Sequence, residues 1–283
     1  MIVDDKGYNE SQNDELFKNL NMEVYNSVSN SLVGKRTKDG DQEVSYLWNN
    51  IPVPRVTLVL QKTINKDGLL YWAARIGTKA LYAERKNSTE IGRITHSLIE
   101  YFLKTGRDNT EMDVSNIFFK NIQQIECAYK NFRNWYDTLI QNGNQVKIIA
   151  TELHVSCPFY GGTIDCIAEI NNAVYIIDWK TSKRISMEYY IQASAYMWLI
   201  NNGYCPDVKY VDGIGIVRLD KEYECIEDSF LTYQIPEHAA YIDGYIRTFE
   251  SLLYSYFNLE YIEQFEHSNS LLSILDELED RYD

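Results

Sequence analysis

The spacing of apolar residues divides the chain into helical and extended segments. Apolar side chains recur every three or four residues in four long segments, which predicts helices over Ser88–Leu103, Val114–Asn142, Met187–Asn201 and from Pro236 to about Leu259. Short runs rich in β-branched and aromatic residues predict strands over Lys147–Val155, Gly162–Ile170, Ala173–Lys180, Lys209–Val217 and Tyr223–Tyr233. Helices followed by three mostly antiparallel strands, then helix, strand and helix, indicate an α+β fold in one domain.

The second and third strands meet at a two-residue turn that sets their register. The turn residues are Asn171 and Asn172, and asparagine tolerates the positive φ that a two-residue hairpin turn requires. Counting outward from the turn places Asp165 opposite Asp178, with Cβ atoms about 4.5–5.5 Å apart, where like charges are destabilising. Lys180 follows two residues after Asp178 and therefore projects from the same face. A divalent cation would offset the repulsion, because hard cations take oxygen ligands from carboxylates and substrate phosphate.

These residues resemble the signature of the PD-(D/E)XK nuclease superfamily, and specifically its RecB-like branch. The matching segments are GGTID at 161–165, IIDWKTSK at 176–183, QASAY at 192–196 and GRITHSLIEYFL at 92–103. In addition, VPRVTLVLQKTINKDGLLYWAARIG at 53–77 is similar to the entry segment of phage exonucleases and of the mitochondrial genome maintenance exonuclease. The resemblance extends over residues 50–217 and implies a mixed sheet flanked by helices, with two further short helices over Val56–Gln61 and Leu69–Arg75.

The resemblance implies metal-assisted hydrolysis of phosphodiester bonds, with Mg²⁺ as cofactor and Mn²⁺ as a substitute. The implied metal ligands are Asp165, Asp178, His96 and the backbone carbonyl of Trp179. Glu152 precedes the first signature strand and is a further candidate ligand, or a hydrogen-bonded support for one. A lone histidine is otherwise usually structural, and Glu152 also fits an ordinary exposed strand position.

Three further residues have roles that the resemblance implies at the reacting phosphate. Lys180 would orient the attacking water or stabilise the negative charge that develops on the phosphate. Gln192 and Tyr196 are separated by one helical turn, so both project from one face of the predicted helix. They would position the phosphate or the neighbouring base.

The charged residues are distributed unevenly. The segment Arg55–Arg107 holds ten basic and four acidic residues, a net charge of +6 within a chain of net charge −14, so the remainder carries −20. Basic residues interleaved with Tyr71, Trp72 and Tyr82 suit a single-stranded backbone with stacked bases. A solvated helical surface, with Trp72 in the core, fits the same pattern. The candidate DNA-binding residues are Lys62, Trp72, Arg75, Arg93 and Lys183.

Composition excludes several classes of protein. A net charge of −14 argues against a globally basic DNA coat protein. No apolar run approaches 18 residues, and the acidic start MIVDDKGYNE matches no targeting peptide, so we expect no membrane association and a cytoplasmic protein, in the host cytoplasm if phage-encoded. Five scattered cysteines without CxxC spacing predict reduced thiols, and because the first is Cys127, we expect no iron–sulfur cluster of the kind that some relatives hold.

Together these features predict a metal-dependent DNA exonuclease that acts on single-stranded or frayed ends in replication, recombination or repair. The nuclease domain is expected over residues 51–262, between an N-terminal extension at 1–50 and an acidic tail at 263–283. One alternative is an endonuclease of the same superfamily, although no segment is spare for a recognition domain. Another is a non-catalytic DNA-end-binding recombination protein, which the intact acids and lysine disfavour. Without helicase motifs, coupling to unwinding would require a separate helicase or recombination protein.

Overall fold

The computed structural model of the chain describes residues 46–64, 75, 77–109 and 117–279, with only the backbone described for Thr78 and for residues 265–279. Within these residues there are five helices: α1 Val56–Thr63, α2 Thr78–Thr105, α3 Phe119–Gln141, α4 Met187–Asn201 and α5 Pro236–Glu279. The same residues form seven strands: β1 Tyr46–Trp48, β2 Ile51–Val53, β3 Val146–Ser156, β4 Gly161–Ile170, β5 Ala173–Lys180, β6 Gly213–Leu219 and β7 Ile226–Thr232. The predicted helix over Leu69–Arg75 lies outside the described residues apart from Arg75 itself, as do Tyr71 and Trp72.

The chain divides into two compact units. The first comprises residues 1–64, 156–161 and 247–283, and the second comprises residues 65–155 and 162–246. The predicted boundaries of the nuclease domain, at residues 50 and 262, come from the sequence signature. They stay a prediction. Among the described residues, no helix is both long enough and apolar enough to cross a membrane.

In the first unit, β1 and β2 form an antiparallel hairpin that sequence analysis missed. Tyr46 pairs with Val53, and the turn residues Asn49 and Asn50 have φ angles of 48° and 67°. This is the same two-asparagine turn that identified the central hairpin, and it fits the mirror-image turn geometry of two-residue hairpins. The signal was therefore present in the sequence, next to strands of only three residues each.

The second unit is built on a five-stranded mixed sheet in the order β3-β4-β5-β6-β7. β4 and β5 are antiparallel, β5 and β6 are parallel, and β6 and β7 are antiparallel. The parallel pair is joined by α4, as a parallel connection requires a crossover. The predicted α+β class and mixed sheet are thus confirmed.

Helices α2 and α3 cover one face of this sheet. Phe102 of α2 and Phe132 and Trp135 of α3 pack with Ile177 and Trp179 of β5 in one buried cluster. The aromatic rings meet largely edge to face, at centroid distances such as 5.3 Å between Phe132 and Trp179. The stripe along α3 is therefore core, as its spacing predicts. On α4 every residue from 191 to 200 is buried, which matches a helix that is apolar on all sides.

Element boundaries differ from the predictions where polar residues or tertiary contacts intervene. α2 begins at Thr78 rather than Ser88. Its first turns are rich in strong helix formers, which favours the helix, but they lack the apolar stripe on which the prediction depended. β6 begins at Gly213 rather than Lys209, since the side chain of Asn201 bonds the backbone N–H of Val211 at 2.8 Å and its carbonyl at 3.1 Å. A Cβ at position 213 would lie 2.2 Å from the Leu231 carbonyl oxygen, so only glycine can enter the ladder there. α5 continues to Glu279, well past the predicted end.

Candidate active site

The hairpin of β4 and β5 has the register that its asparagine turn predicts. The two turn asparagines have φ angles of 51° and 68°, and five consecutive pairs run outward from Ile170 opposite Ala173. The last of these pairs is Cys166 opposite Ile177, and one further step in the same register would place Asp165 opposite Asp178. A one-residue slip would have moved these acids to opposite faces, so the turn decides whether a site forms at all.

Asp178 and Lys180 lie on one face of β5, as the strand period predicts. Lys180 Nζ is 2.7 Å from Asp178 Oδ2, although this contact lacks the alignment of a hydrogen bond. Burial raises the pKa of Asp178 to about 6, with the Lys180 ammonium lowering it and the Asp165 charge raising it. The ionised form of Asp178 is therefore unfavourable in the folded protein, and an additional positive charge nearby would stabilise it.

Asp165 lies in a different electrostatic environment. Burial alone would raise the pKa of Asp165, but His96, the Lys180 ammonium and the Trp179 N–H outweigh that effect and lower it. The Trp179 N–H donates to Asp165 Oδ2 at 2.9 Å. The two opposed acids consequently divide their roles: Asp165 is held in its ionised form, whereas Asp178 resists ionisation.

Helix α2 brings His96 into contact with both strands of the hairpin. Its Nδ1 lies 3.5 Å from Asp165 Oδ2, and its Nε2 lies 3.0 Å from the backbone carbonyl oxygen of Trp179. Burial would lower the pKa of His96, but the charge of Asp165 raises it overall. The histidine side chain is 25% exposed.

Strand β3 supplies Glu152 from an unusual backbone position. Glu152 has a φ of 48°, in the left-handed region that non-glycine residues seldom adopt within a strand. Burial raises the pKa of Glu152 to about 7, and the charge of Asp165 adds to this shift. Such strained backbone is commonly found where a side chain must be aimed into a site. Only the family resemblance marked this residue, since no sequence pattern predicts a left-handed glutamate.

His96, Glu152 and Asp165 together could hold a metal ion. One potential ligand atom from each residue lies within 4.8 Å of the others. An imidazole nitrogen with two carboxylate oxygens suits a hard or borderline divalent cation. The predicted ligand Asp178 is not a member of this group and contacts Lys180 instead, and the Trp179 carbonyl faces His96. The side chains of His96, Glu152 and Asp165 therefore fit a divalent metal, whereas Asp178 and the Trp179 carbonyl lie outside this group.

Gln192 and Tyr196 lie beneath Lys180 rather than on an open surface. Lys180 Nζ donates to Gln192 Oε1 at 3.4 Å, and Gln192 Nε2 donates to the Tyr196 hydroxyl at 3.4 Å. Tyr196 is 4% exposed, and its ring occupies the space that a Cβ on Gly162 would fill. Both residues were expected to position the phosphate or a base, but their burial favours holding the lysine in place.

The candidate DNA-binding residues lie in different environments in the structure. Lys62 forms ion pairs with Glu260 and Glu263 inside the first unit, which neutralises its charge and argues against a DNA contact. Arg93 and Arg75 are exposed, and Lys183 is exposed close to the active-site strand. Trp72 lies outside the described residues.

Glu152→Gly is expected to raise the thermal unfolding midpoint of the metal-free protein, because glycine adopts positive φ without the cost of roughly 1–2 kcal/mol for other residues. Thermal unfolding should be followed below about pH 4, where Glu152 is uncharged in both the folded and the unfolded wild-type protein. Glu152→Gln retains the backbone strain and is the matched control. Equal midpoints for the two variants would show that the left-handed conformation carries no strain.

Comparison with known proteins identifies a family for most of the chain. The family model of the PD-(D/E)XK nuclease superfamily matches residues 69–266. None of the curated proteins matches the chain. Among solved structures, one described as the crystal structure of SSO0001 is similar at 11% sequence identity, with 78% of this chain and 81% of that chain covered and a TM-score of 0.31. A TM-score this low supports no conclusion about function.

Proposed function

Since the chain belongs to the PD-(D/E)XK nuclease superfamily, we propose that it is a metal-dependent DNA exonuclease that hydrolyses phosphodiester bonds at single-stranded or frayed ends. The observation that carries the proposal is the convergence of His96, Glu152 and Asp165 within 4.8 Å, beside the ion pair of Asp178 and Lys180. Three candidate metal ligands next to one lysine suit a phosphodiester substrate, whose oxygens attract both cation and ammonium.

In this proposal His96, Glu152 and Asp165 bind Mg²⁺, or Mn²⁺ in its place. A divalent cation at this position would lower the pKa of a water molecule and neutralise charge on the non-bridging phosphate oxygens. The strained backbone at Glu152 aims its carboxylate into the group, and the Trp179 N–H orients Asp165. Asp178 completes the negative pocket that a cation must balance.

Lys180 acts on the phosphate as a fixed positive charge. Asp178 and Gln192 contact its ammonium from two sides, and the Tyr189 ring lies 4.8 Å away. An ammonium positioned before the reaction stabilises the charge that develops in the transition state without a cost of reorganisation. Gln192 and Tyr196 therefore serve as positioning residues that act through Lys180.

The preference for ends rests on the sequence that leads into the site. The segment Arg55–Arg107 is net +6, and residues 53–77 resemble the entry segment of exonucleases, while the acidic remainder of the chain repels an extended duplex. Tyr82 on α2 is 64% exposed and so is free to stack on an unpaired base. Roles in recombination or repair, and a helicase as partner, belong to the same proposal.

A covalently closed single-stranded DNA circle tests end dependence directly. With Mg²⁺ present, we expect the protein to degrade the linear form of the DNA and to leave the circle intact, because only the linear form has an end to enter the site. Products are separated on a denaturing gel, and 5′- and 3′-labelled strands give the polarity. Asp165→Asn, prepared in parallel, controls for contaminating nucleases.

Each other outcome identifies one of the alternatives. Rapid cutting of the circle would show an endonuclease of the same superfamily and would contradict the exonuclease proposal. Binding to DNA ends without any cleavage, over a range of Mg²⁺ and Mn²⁺ concentrations, would favour a non-catalytic DNA-end-binding protein.

A further inference from the structure

A cleft of about 790 Å³ opens beside the candidate active site and is lined in part by His96, Trp179 and Lys180. The remaining walls come from the first half of α2, the first two turns of α3, the loops that follow β5 and β6, and Tyr189 of α4. β5 and β6 are parallel, so their C-terminal ends lie at the same edge of the sheet. Ligands commonly bind at such an edge, outside the carboxyl ends of parallel strands.

Three lysines besides Lys180 line this cleft, and each comes from a different element. Lys120 lies in the first turn of α3, Lys183 in the loop after β5, and Lys221 in the loop after β6. Within residues 46–64, 77–109 and 117–264, none of the three has a carboxylate oxygen within 4.0 Å. Lys221 Nζ donates to the Ser88 hydroxyl at 3.2 Å.

Among the described lysines outside the cleft, some form ion pairs and others, such as Lys79, Lys86, Lys147 and Lys209, form none. Lys62, Lys104 and Lys130 each form an ion pair with a glutamate. What distinguishes the cleft is that four lysines from separate elements gather there against two glutamates, Glu84 and Glu222, and this local excess of positive charge in an acidic chain points to an external anion.

Neighbouring groups of the cleft support the same conclusion. Burial lowers the pKa of Lys221 and Lys183 adds to this, whereas Glu222 and Glu84 oppose it. Lys221 is thus partly desolvated, and no carboxylate oxygen of the described residues lies within 4.0 Å of it. The 23-residue helix α3 begins at Phe119 with no side-chain cap, so its positive dipole end adds to the field around Lys120.

We propose that this cleft binds the phosphates of a polynucleotide strand adjacent to the scissile phosphate, with Lys120 and Lys221 as phosphate-contacting residues alongside Lys183. The proposal rests on the proposed nuclease function and assigns the path of the substrate away from Lys180. The cleft is continuous with His96 and Lys180, so an anion bound by these lysines extends from the reacting centre. Repeated phosphates on one strand fit several separate lysines better than a single phosphate does.

The first test measures binding of a labelled single-stranded oligodeoxynucleotide by fluorescence anisotropy in EDTA, at several salt concentrations. Each contact with a single-strand phosphate contributes about 0.7 to the slope of log affinity against log salt. Lys120→Gln/Lys221→Gln should therefore reduce the slope by about 1.4 and weaken binding about tenfold at low salt. Lys147→Gln/Lys209→Gln removes the same charge from exposed positions outside the cleft and is the matched control.

The second test compares substrates of different length. For each protein, kcat/KM is measured on a long oligodeoxynucleotide and on a dinucleotide that cannot reach beyond the active site. The ratio of kcat/KM on the long oligodeoxynucleotide to kcat/KM on the dinucleotide should fall about tenfold in Lys120→Gln/Lys221→Gln. In the control variant this ratio should match that of wild type. Thermal unfolding of every variant verifies that the fold is intact.

The outcomes separate this inference from the proposed function. If the slope of log affinity against log salt falls equally in Lys120→Gln/Lys221→Gln and in the control, the cleft does not bind the strand. This conclusion holds whether or not the protein cleaves DNA. If no DNA is cleaved by any protein but the slope falls only in the cleft variant, the nuclease function is wrong and the strand-binding cleft stands.

Discussion

Asp178→Asn and Asp165→Asn are each expected to abolish DNA cleavage, with losses of at least about 10³-fold, while they change stability in opposite directions. Both remove a carboxylate from the site where charge on the phosphate must be balanced. In the metal-free protein, however, the two carboxylates lie in unlike environments, as burial raises the pKa of Asp178 to about 6 and neighbouring charges lower that of Asp165.

The direction of each stability change follows from proton linkage. A raised pKa in the folded state means that ionised Asp178 destabilises the fold, and this loss develops as the pH rises from about 4 through about 6. Asparagine resembles the protonated acid, so Asp178→Asn should raise the thermal midpoint at neutral pH. The lowered pKa of Asp165 contributes stability at neutral pH that is lost as the pH falls through its folded value. Asp165→Asn should therefore lower the midpoint.

Thermal unfolding in EDTA at neutral pH, together with cleavage assays in Mg²⁺, measures both effects. Glu169→Gln provides a control, because Glu169 is on the same strand as Asp165 and outside the metal group. Normal cleavage by Asp178→Asn would show that Asp178 is not part of the active site. A stability shift of the same sign in both variants would contradict the division of roles between the two acids. Repulsion between two opposed carboxylates would be relieved by removal of either one, but the opposite pKa shifts limit the expected gain in stability to Asp178.

Lys180→Met is expected to lose cleavage by about 10²–10³-fold or more while single-strand affinity remains near that of wild type. The ammonium is positioned by Asp178 and Gln192, so its main contribution is to the charge that develops during reaction rather than to ground-state binding. Single-turnover rates at saturating enzyme give the loss in chemistry, and anisotropy in EDTA gives the affinity. Methionine keeps an unbranched side chain of similar length but removes the ammonium and therefore its contact with the Tyr189 ring.

Lys183→Met offers a contrast within the same loop. This lysine is exposed and contacts no described carboxylate, so its loss should weaken binding more than the single-turnover rate. Equal losses of binding and rate in Lys180→Met would instead make Lys180 an ordinary phosphate anchor, like Lys183. A normal rate in Lys180→Met would contradict the proposed mechanism.

Local chemistry explains which parts of the fold could be predicted. The two-asparagine turn and the period of two along each strand are properties of neighbouring residues, and they were sufficient for the register that opposes Asp165 and Asp178. The same reasoning applied to Asn49 and Asn50 would have identified the first hairpin. Apolar spacing located the long helices but not their polar ends, because helix propensity without an apolar stripe leaves no periodic signal.

Contacts between distant segments explain the rest. The start of β6 depends on hydrogen bonds from Asn201, and the availability of Lys62 depends on glutamates nearly 200 residues later. The burial of Tyr196 depends on the absence of a Cβ at Gly162. Each effect joins residues whose proximity no local pattern encodes.

For the candidate site, the sequence by itself determined that two carboxylates and one lysine share a face of a hairpin, since turn geometry and strand period are local. Only the tertiary structure decided that His96 and Glu152 join Asp165, that Asp178 pairs with Lys180, and that Lys120 and Lys221 line one cleft. Those arrangements depend on how helices pack on the sheet and on the burial of charge. Burial and long-range ion pairing are set by the folded chain as a whole.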